Sequence, residues 1–257
     1  MQANSLQHYF TITNLLIAIC VVVYFFQSQS QSLLNGGELY FYQNPNFEPW
    51  QFLSYMFMHG SVNHLLFNMI GLWMFGSVLE RVWGQKRFLI FYLTCGVGAA
   101  FIYMMIKHFQ FEQLVPELLQ QLSAIGMNSD ETMEMLGQDR YVPSVPITGD
   151  AAQLFATPMV GASGAIYGIL VAFAFLFPNH KLMLIFLPMP IAAKYFVPAL
   201  LALDLFSGVT GVSLFGGNVA HFAHIGGALI GALLTYYWYQ QVKQQRQAAI
   251  SASMWQG

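Results

Sequence analysis

Gly161-Ala162-Ser163-Gly164-Ala165-Ile166-Tyr167-Gly168 is the stretch on which the reading of this chain turns. Six of its eight residues are Gly, Ala or Ser, and an unbroken apolar run from Ile169 to Phe177 follows. Small residues let a second helix bring its backbone close. A serine at the head of such a helix is therefore either packing glue or a reactive hydroxyl held inside a membrane. The rest of the chain has to separate the two.

Composition places the chain in a membrane. It has 257 residues, 56 % hydrophobic and 8 % charged, whereas a soluble domain carries about 25 % charged residues. An all-α, multi-span protein in a lipid bilayer is expected. The net charge of -2 gives no footing for nucleic-acid binding. Cys20 and Cys95 each fall in an apolar run and read as buried free thiols, with neither a disulfide framework nor metal-type spacing. The N-terminal segment lacks a charged n-region and a small-residue cleavage site, so the first apolar run reads as a retained span.

Working outward, apolar stretches occupy residues 11–27, 62–83, 88–106, 160–177, 194–210 and 219–240, which makes six expected spans. Residues 28–60 carry no Lys or Arg but are dense in Tyr, Phe and Trp, and read as a structured loop at the membrane–water interface. Residues 107–158 hold seven acidic and two basic residues. They read as an extramembrane insert between spans three and four, with an amphipathic helix around 112–125 presenting Leu114, Leu118, Leu119 and Leu122. Residues 182–193, broken by Pro188 and Pro190, read as an interfacial connector. Residues 1–245 thus form one membrane domain that contains the insert, and 246–257 a polar tail. Arg81, Lys86, Arg87, Lys181, Lys194, Lys243 and Arg246 follow the even-numbered spans, and only Lys107 and Arg140 follow the odd ones. The positive-inside rule then puts both termini in the cytoplasm, and the short chain suggests a bacterial plasma membrane.

On that topology spans two, four and six all start at the non-cytoplasmic face. His64 and Asn68, Ser163 and Tyr167, and His224 therefore converge at one depth. His64 and Asn68 are four apart and share a helix face, as do Ser163 and Tyr167. His224 lies on a stripe with Ala220, Ala223, Gly227 and Gly231 that matches Gly161, Gly164, Ala165, Gly168 and Ala172 of the serine segment. Two such stripes packed together bring the imidazole to the hydroxyl. A hydrogen-bonded imidazole can take the serine proton and return it to a leaving amine. His64, Asn68 and backbone N–H groups can serve a developing oxyanion. His221, one turn before His224, is a secondary candidate. Asp204 reads as lying on the far side of span five, so a Ser–His dyad without a carboxylate is the economical reading. A histidine-ligated haem protein would leave Ser163 and Asn68 unexplained, and the chain has no His-Glu-x-x-His for a zinc peptidase.

Three motifs resemble the rhomboid family of intramembrane serine proteases: His59-Gly60-Ser61-Val62-Asn63-His64-Leu65-Leu66-Phe67-Asn68, Gly161-Ala162-Ser163-Gly164, and Ala223-His224-Ile225-Gly226-Gly227-Ala228-Leu229-Ile230-Gly231. The resemblance implies a bundle of six transmembrane helices with a water-filled cavity open to the outside, and the insert lying between helices three and four. It implies Ser163 as nucleophile and His224 as base, with His64, Asn68 and the Ser163 N–H at the oxyanion. Tyr167 is implied to stack on His224, with Gly161, Gly164 and His59 in support. Span five and its neighbouring loops are implied to form a lateral gate. The implied activity is endopeptidase cleavage of transmembrane segments of other membrane proteins, without metal or organic cofactor. The alternative is a catalytically silent relative that binds or chaperones membrane proteins. Oligomeric state is left open. One departure is Trp50-Gln51 where the family often has Trp-Arg, which removes a loop anchor through that Arg. The insert is longer than the family's usual link and is expected to cap, gate or recruit substrate.

Overall fold

The computed structural model describes residues 11–29, 36–138, 140, 142–145, 147–184, 187–212 and 220–254. Helices dominate it. In chain order they are α1 (Ile12–Gln29), the single turn α2 (Gln51–Ser54), α3 (Val62–Gly71), α4 (Ser77–Trp83), α5 (Gln85–Ser123), α6 (Ser129–Gly137), α7 (Ile147–Ala156), α8 (Ser163–Leu176), α9 (Ala193–Thr210) and α10 (His221–Met254). One π turn, Leu72–Gly76, joins α3 to α4 in a single rod. That rod, α1, α5 and α9 are each long and apolar enough to cross a membrane. The protein is thus a mostly helical, integral membrane protein.

The serine helix is the short one. At 14 residues, α8 is about 21 Å long, less than the roughly 30 Å of a hydrocarbon core. One of its ends must stop inside the apolar layer. It is held there by a glycine seam against α10. A Cβ on Gly231 would lie 2.5 Å from Gly168 Cα, and one on Gly227 would overlap the Gly164 carbonyl. A Cβ on Gly168 would meet both Cys95 of α5 and the Gly227 carbonyl of α10. Backbones this close leave room for nothing larger than hydrogen, and that closeness sets the distance between the two helices. Cys20 and Cys95 are both fully buried free thiols.

The opposite end of the bundle is tied by a carboxylate. Glu80 in α4 accepts hydrogen bonds from the Ile12 and Thr13 backbone N–H groups at 2.7 and 2.9 Å, and from the Thr13 hydroxyl at 2.6 Å. An anion at the first turn of α1 satisfies N–H groups that have no partner within the helix.

One expected boundary is corrected, and one expected connector takes a definite form. The third span was expected to end at 106, with a separate amphipathic helix near 112–125, but α5 runs unbroken for 39 residues. Residues 107–115 contain no Gly or Pro to stop it, and Pro116 is accommodated within the helix. At about 58 Å, α5 is longer than the roughly 30 Å of a hydrocarbon core, and its C-terminal part lies in residues 107–158. The expected connector at 182–193 is an antiparallel hairpin, β1 (Lys181–Leu184) with β2 (Leu187–Ala192), in the register Lys181↔Ala192, Leu182↔Ile191 and Leu184↔Leu187. Prolines at 188 and 190 are tolerated because a two-stranded ladder has only edge strands.

The apolar residues of 107–158 join the first loop and the membrane helices in one buried cluster. Phe111 of α5 packs against Phe155 of α7 at 5.6 Å and against Phe41 of the loop at 5.3 Å between ring centroids. Leu118, Leu122, Met135 and Leu136 are buried with them. Asn128 caps α6 in a reciprocal box with Glu131. The Lys107 ammonium, buried, donates to the Thr157 carbonyl at 2.8 Å.

Candidate active site

Ser163 opens α8, and the two residues before it decide what surrounds it. Gly161 has φ of +118°, a conformation that suits glycine, and its N–H donates to the Tyr55 carbonyl at 2.9 Å. A side chain there would also collide with a neighbour. A Cβ on Gly161 would fall 2.6 Å from His64 Nε2 and 3.6 Å from Asn68 Nδ2. The structure therefore sets the His64 imidazole and the Asn68 amide against the backbone two residues ahead of Ser163. Both come from α3, whose first turn is capped by the Ser61 hydroxyl accepting from the His64 N–H.

Behind His64 stands His59. It is buried, its ring meets that of His64 edge-on at 5.2 Å, its backbone N–H donates to Gln27 Oε1, and its ring Nδ1 lies 3.3 Å from the Phe57 carbonyl. Its Nε2 has no hydrogen-bond partner among the described residues. Tyr55 links the first loop to the site. Its carbonyl holds Gly161, its hydroxyl donates to the Gly96 carbonyl at 2.8 Å, and a Cβ on Gly164 would lie 3.3 Å from that hydroxyl.

His224 sits in the first turn of α10, pressed toward α8 by the glycine seam. Its Nε2 lies 2.8 Å from Ser163 Oγ. The Tyr167 ring, one turn above Ser163, stacks on the imidazole at 4.1 Å with 9° between planes. Ser163, His224 and Tyr167 are thus in direct contact, and His64, with His59 beside it, and Asn68 lie against Gly161, two residues before Ser163.

One residue was missed. Asp204 of α9 was read as lying on the far side, but its Oδ1 is 3.1 Å from His224 Nδ1 and 2.6 Å from His221 Nδ1. Its Oδ2 accepts a hydrogen bond from the Tyr167 hydroxyl. Depth was the source of the misreading. Asp204 is six residues, about 9 Å, from the Thr210 end of α9, and that end leads into His221. A carboxylate in an apolar span, one segment before a His pair, was the signal available. The donor atoms of Asp204, His221 and His224 lie within 4.8 Å of one another, a spacing open to a divalent cation. In this arrangement they bond to each other and to Tyr167.

The first loop, expected to lack an anchor through an Arg, is held by another residue. Gln51 does anchor it, in place of the absent Arg. Buried completely, it accepts from the Tyr40 N–H and donates to the Gly36 and Asn46 carbonyls. The loop is further pinned to the strand-like approach to Ser163 by paired hydrogen bonds between Leu39 and Met159. Of the elements expected to form a gate, α9 is described, and residues 213–219 lie outside the described residues.

With this geometry in place, comparison with known proteins is decisive on one point. A rhomboid domain matches residues 46–241. The chain belongs to the rhomboid family. Among rhomboid relatives, the yeast (Saccharomyces cerevisiae) "Rhomboid protein 1, mitochondrial" is 27 % identical over 197 residues, covering 77 % of this chain and 44 % of that protein. The human "Presenilin-associated rhomboid-like protein, mitochondrial" is 28 % identical over 195 residues, covering 76 % and 39 %. "Rhomboid protease AarA" of Providencia stuartii is 27 % identical over 245 residues, covering 87 % and 71 %. The chain spans less than half the length of the two mitochondrial rhomboid relatives. The expectation of a bacterial plasma membrane gains no support from those mitochondrial names.

Proposed function

We propose that this chain is an intramembrane serine endopeptidase that cleaves transmembrane segments of other membrane proteins. The observation that carries the reading is the 2.8 Å approach of His224 Nε2 to Ser163 Oγ at the head of a helix too short to cross the bilayer. The relative named as a rhomboid protease adds weight to it. Ser163 Oγ attacks the scissile carbonyl carbon as its proton passes to His224 Nε2, and the carbonyl π electrons move onto oxygen. Collapse of that intermediate breaks the C–N bond, and His224 returns the proton to the leaving amine. Water then repeats the sequence on the acyl-enzyme and releases the carboxylate. His64, the Asn68 amide and the Ser163 N–H are assigned to the oxyanion, and loss of one such donor costs about 10²–10³ in rate. An intact substrate helix hides its carbonyls in its own hydrogen bonds, so substrates are expected to carry Gly, Pro or polar residues near the scissile bond. Both termini are proposed to face the cytoplasmic side, on the Lys and Arg distribution.

The test is labelling of the detergent-purified protein by a fluorophosphonate, with Ser163→Ala and His224→Ala alongside. Labelling is expected in the wild type and in neither variant. A folded wild type that takes no label would instead favour the silent binder of membrane proteins.

A further inference from the structure

We infer that Asp204 is a positioning residue for the Ser163–His224 pair, fixing which nitrogen of His224 carries the proton. Its consequence for rate rests on the proposed protease reading; the tautomer assignment does not.

The argument starts from proton count. A neutral imidazole has one N–H and one lone pair. Ser163 can give its proton to His224 only if Nε2 holds the lone pair, which places the N–H on Nδ1. Nothing in Ser163 itself enforces that choice, because a hydroxyl both donates and accepts. An ionised carboxylate only accepts. With Asp204 Oδ1 3.1 Å from Nδ1, the Nδ1–H form gains a hydrogen bond. The other form would set a lone pair against an anion. Asp204 thus selects the tautomer that aims Nε2 at Ser163 Oγ.

The carboxylate is itself held. Tyr167 donates to Oδ2, and His221 Nδ1 lies 2.6 Å from Oδ1. Tyr167 therefore acts twice, its ring flat on His224 and its hydroxyl on Asp204. Packing needs alone do not call for this. A carboxylate in an apolar span is costly, and Tyr167 with His221 would already satisfy it without His224. Three side-chain hydrogen bonds between α9 and its neighbours α8 and α10 converge on Asp204. An outward shift of α9 would therefore release His224 from its anchor.

The experiment has two arms. In the first, histidine-¹⁵N-labelled wild type in detergent is compared with His224→Gln, to assign the His224 resonances. Nδ1 is expected to be the protonated nitrogen in the wild type, and Asp204→Asn, whose amide can donate to Nδ1, is expected to move the proton to Nε2. In the second arm, cleavage kinetics of Asp204→Asn are compared with wild type, with Ser163→Ala as the blank. The expected loss in kcat is about 10²–10⁴-fold, with KM within about twofold because the residue acts through His224, and partial recovery in Asp204→Glu. An Nε2–H tautomer in the wild type would overturn the inference, as would an Asp204→Asn kcat within threefold of wild type (roughly the scatter of a neutral surface change). Should the wild type prove inactive, the protease reading fails, while the ¹⁵N arm still decides Asp204. If Asp204→Asn does not fold, the wild-type tautomer alone decides it.

Discussion

The glycine seam between α8 and α10 and the insert beyond residue 107 are both helical, yet they are held together by opposite means. At the seam the side chains are nearly absent: Gly164 faces Gly227, and Gly168 faces Gly231. In the insert the contacts are large and apolar, with Phe111, Phe155, Leu118 and Leu122 buried beside Phe41 of the first loop, and the N-terminus of α6 is capped by Asn128. The contrast is the one that a seam in lipid and an insert in water would require. Lipid gives apolar side chains no reason to leave it, so helices associate there through close packing and polar contacts. Water does drive apolar burial, and it also competes for helix ends, which makes caps worthwhile. A single chain thus carries two packing modes, and the Ser163–His224 pair sits on the one that places backbones most precisely.

Three substitutions would break or sharpen this contrast. Gly227→Leu is expected to have the largest effect. Its side chain would meet the Gly164 carbonyl, a backbone group that cannot repack, so α8 and α10 should separate. Fluorophosphonate labelling and a monodisperse peak on size exclusion should both be lost. Labelling at the wild-type level would show that the seam does not set the Ser163–His224 distance. Phe155→Ala comes next. Removing a fully buried ring is expected to cost about 3–5 kcal/mol, seen as a lower thermal midpoint, while labelling per folded molecule holds at low temperature. Labelling that falls with the midpoint unchanged would join the insert directly to the site. Asn128→Ala should be smallest, about 1 kcal/mol for one lost cap, with cleavage unaffected. A larger loss would mean that α6 supports more than the insert.

The insert changes meaning under this comparison. It was expected to cap, gate or recruit substrate. What the structure shows is a helical base continuous with α5, packed on the first loop, which in turn holds Gly161 through Tyr55 and Met159 through Leu39. Its deletion is therefore expected to disturb the fold of that loop as well as any dealings with substrate.

Much of the site was legible because its residues announce themselves by local spacing. Four-residue intervals put Asn68 beside His64 and Tyr167 beside Ser163, and matched Gly/Ala stripes told which helices would touch. Gln51 and Asp204 were not legible in the same way. Each gains its role from partners distant in sequence or folded back by a loop: Gln51 from Gly36, Tyr40 and Asn46, and Asp204 from Tyr167, His221 and His224.

What the amino-acid order determined alone is the membrane setting, the helical class and the set of polar residues facing one depth. These follow from composition and from the fixed 3.6-residue helical period. Tertiary structure decided how far α5 extends, that residues 181–192 pair as a hairpin, and that a carboxylate from α9 reaches His224. Those outcomes depend on which surfaces meet: small-residue stripes named one helix pair in advance, but the reach of a single side chain such as Asp204 is settled by tertiary packing.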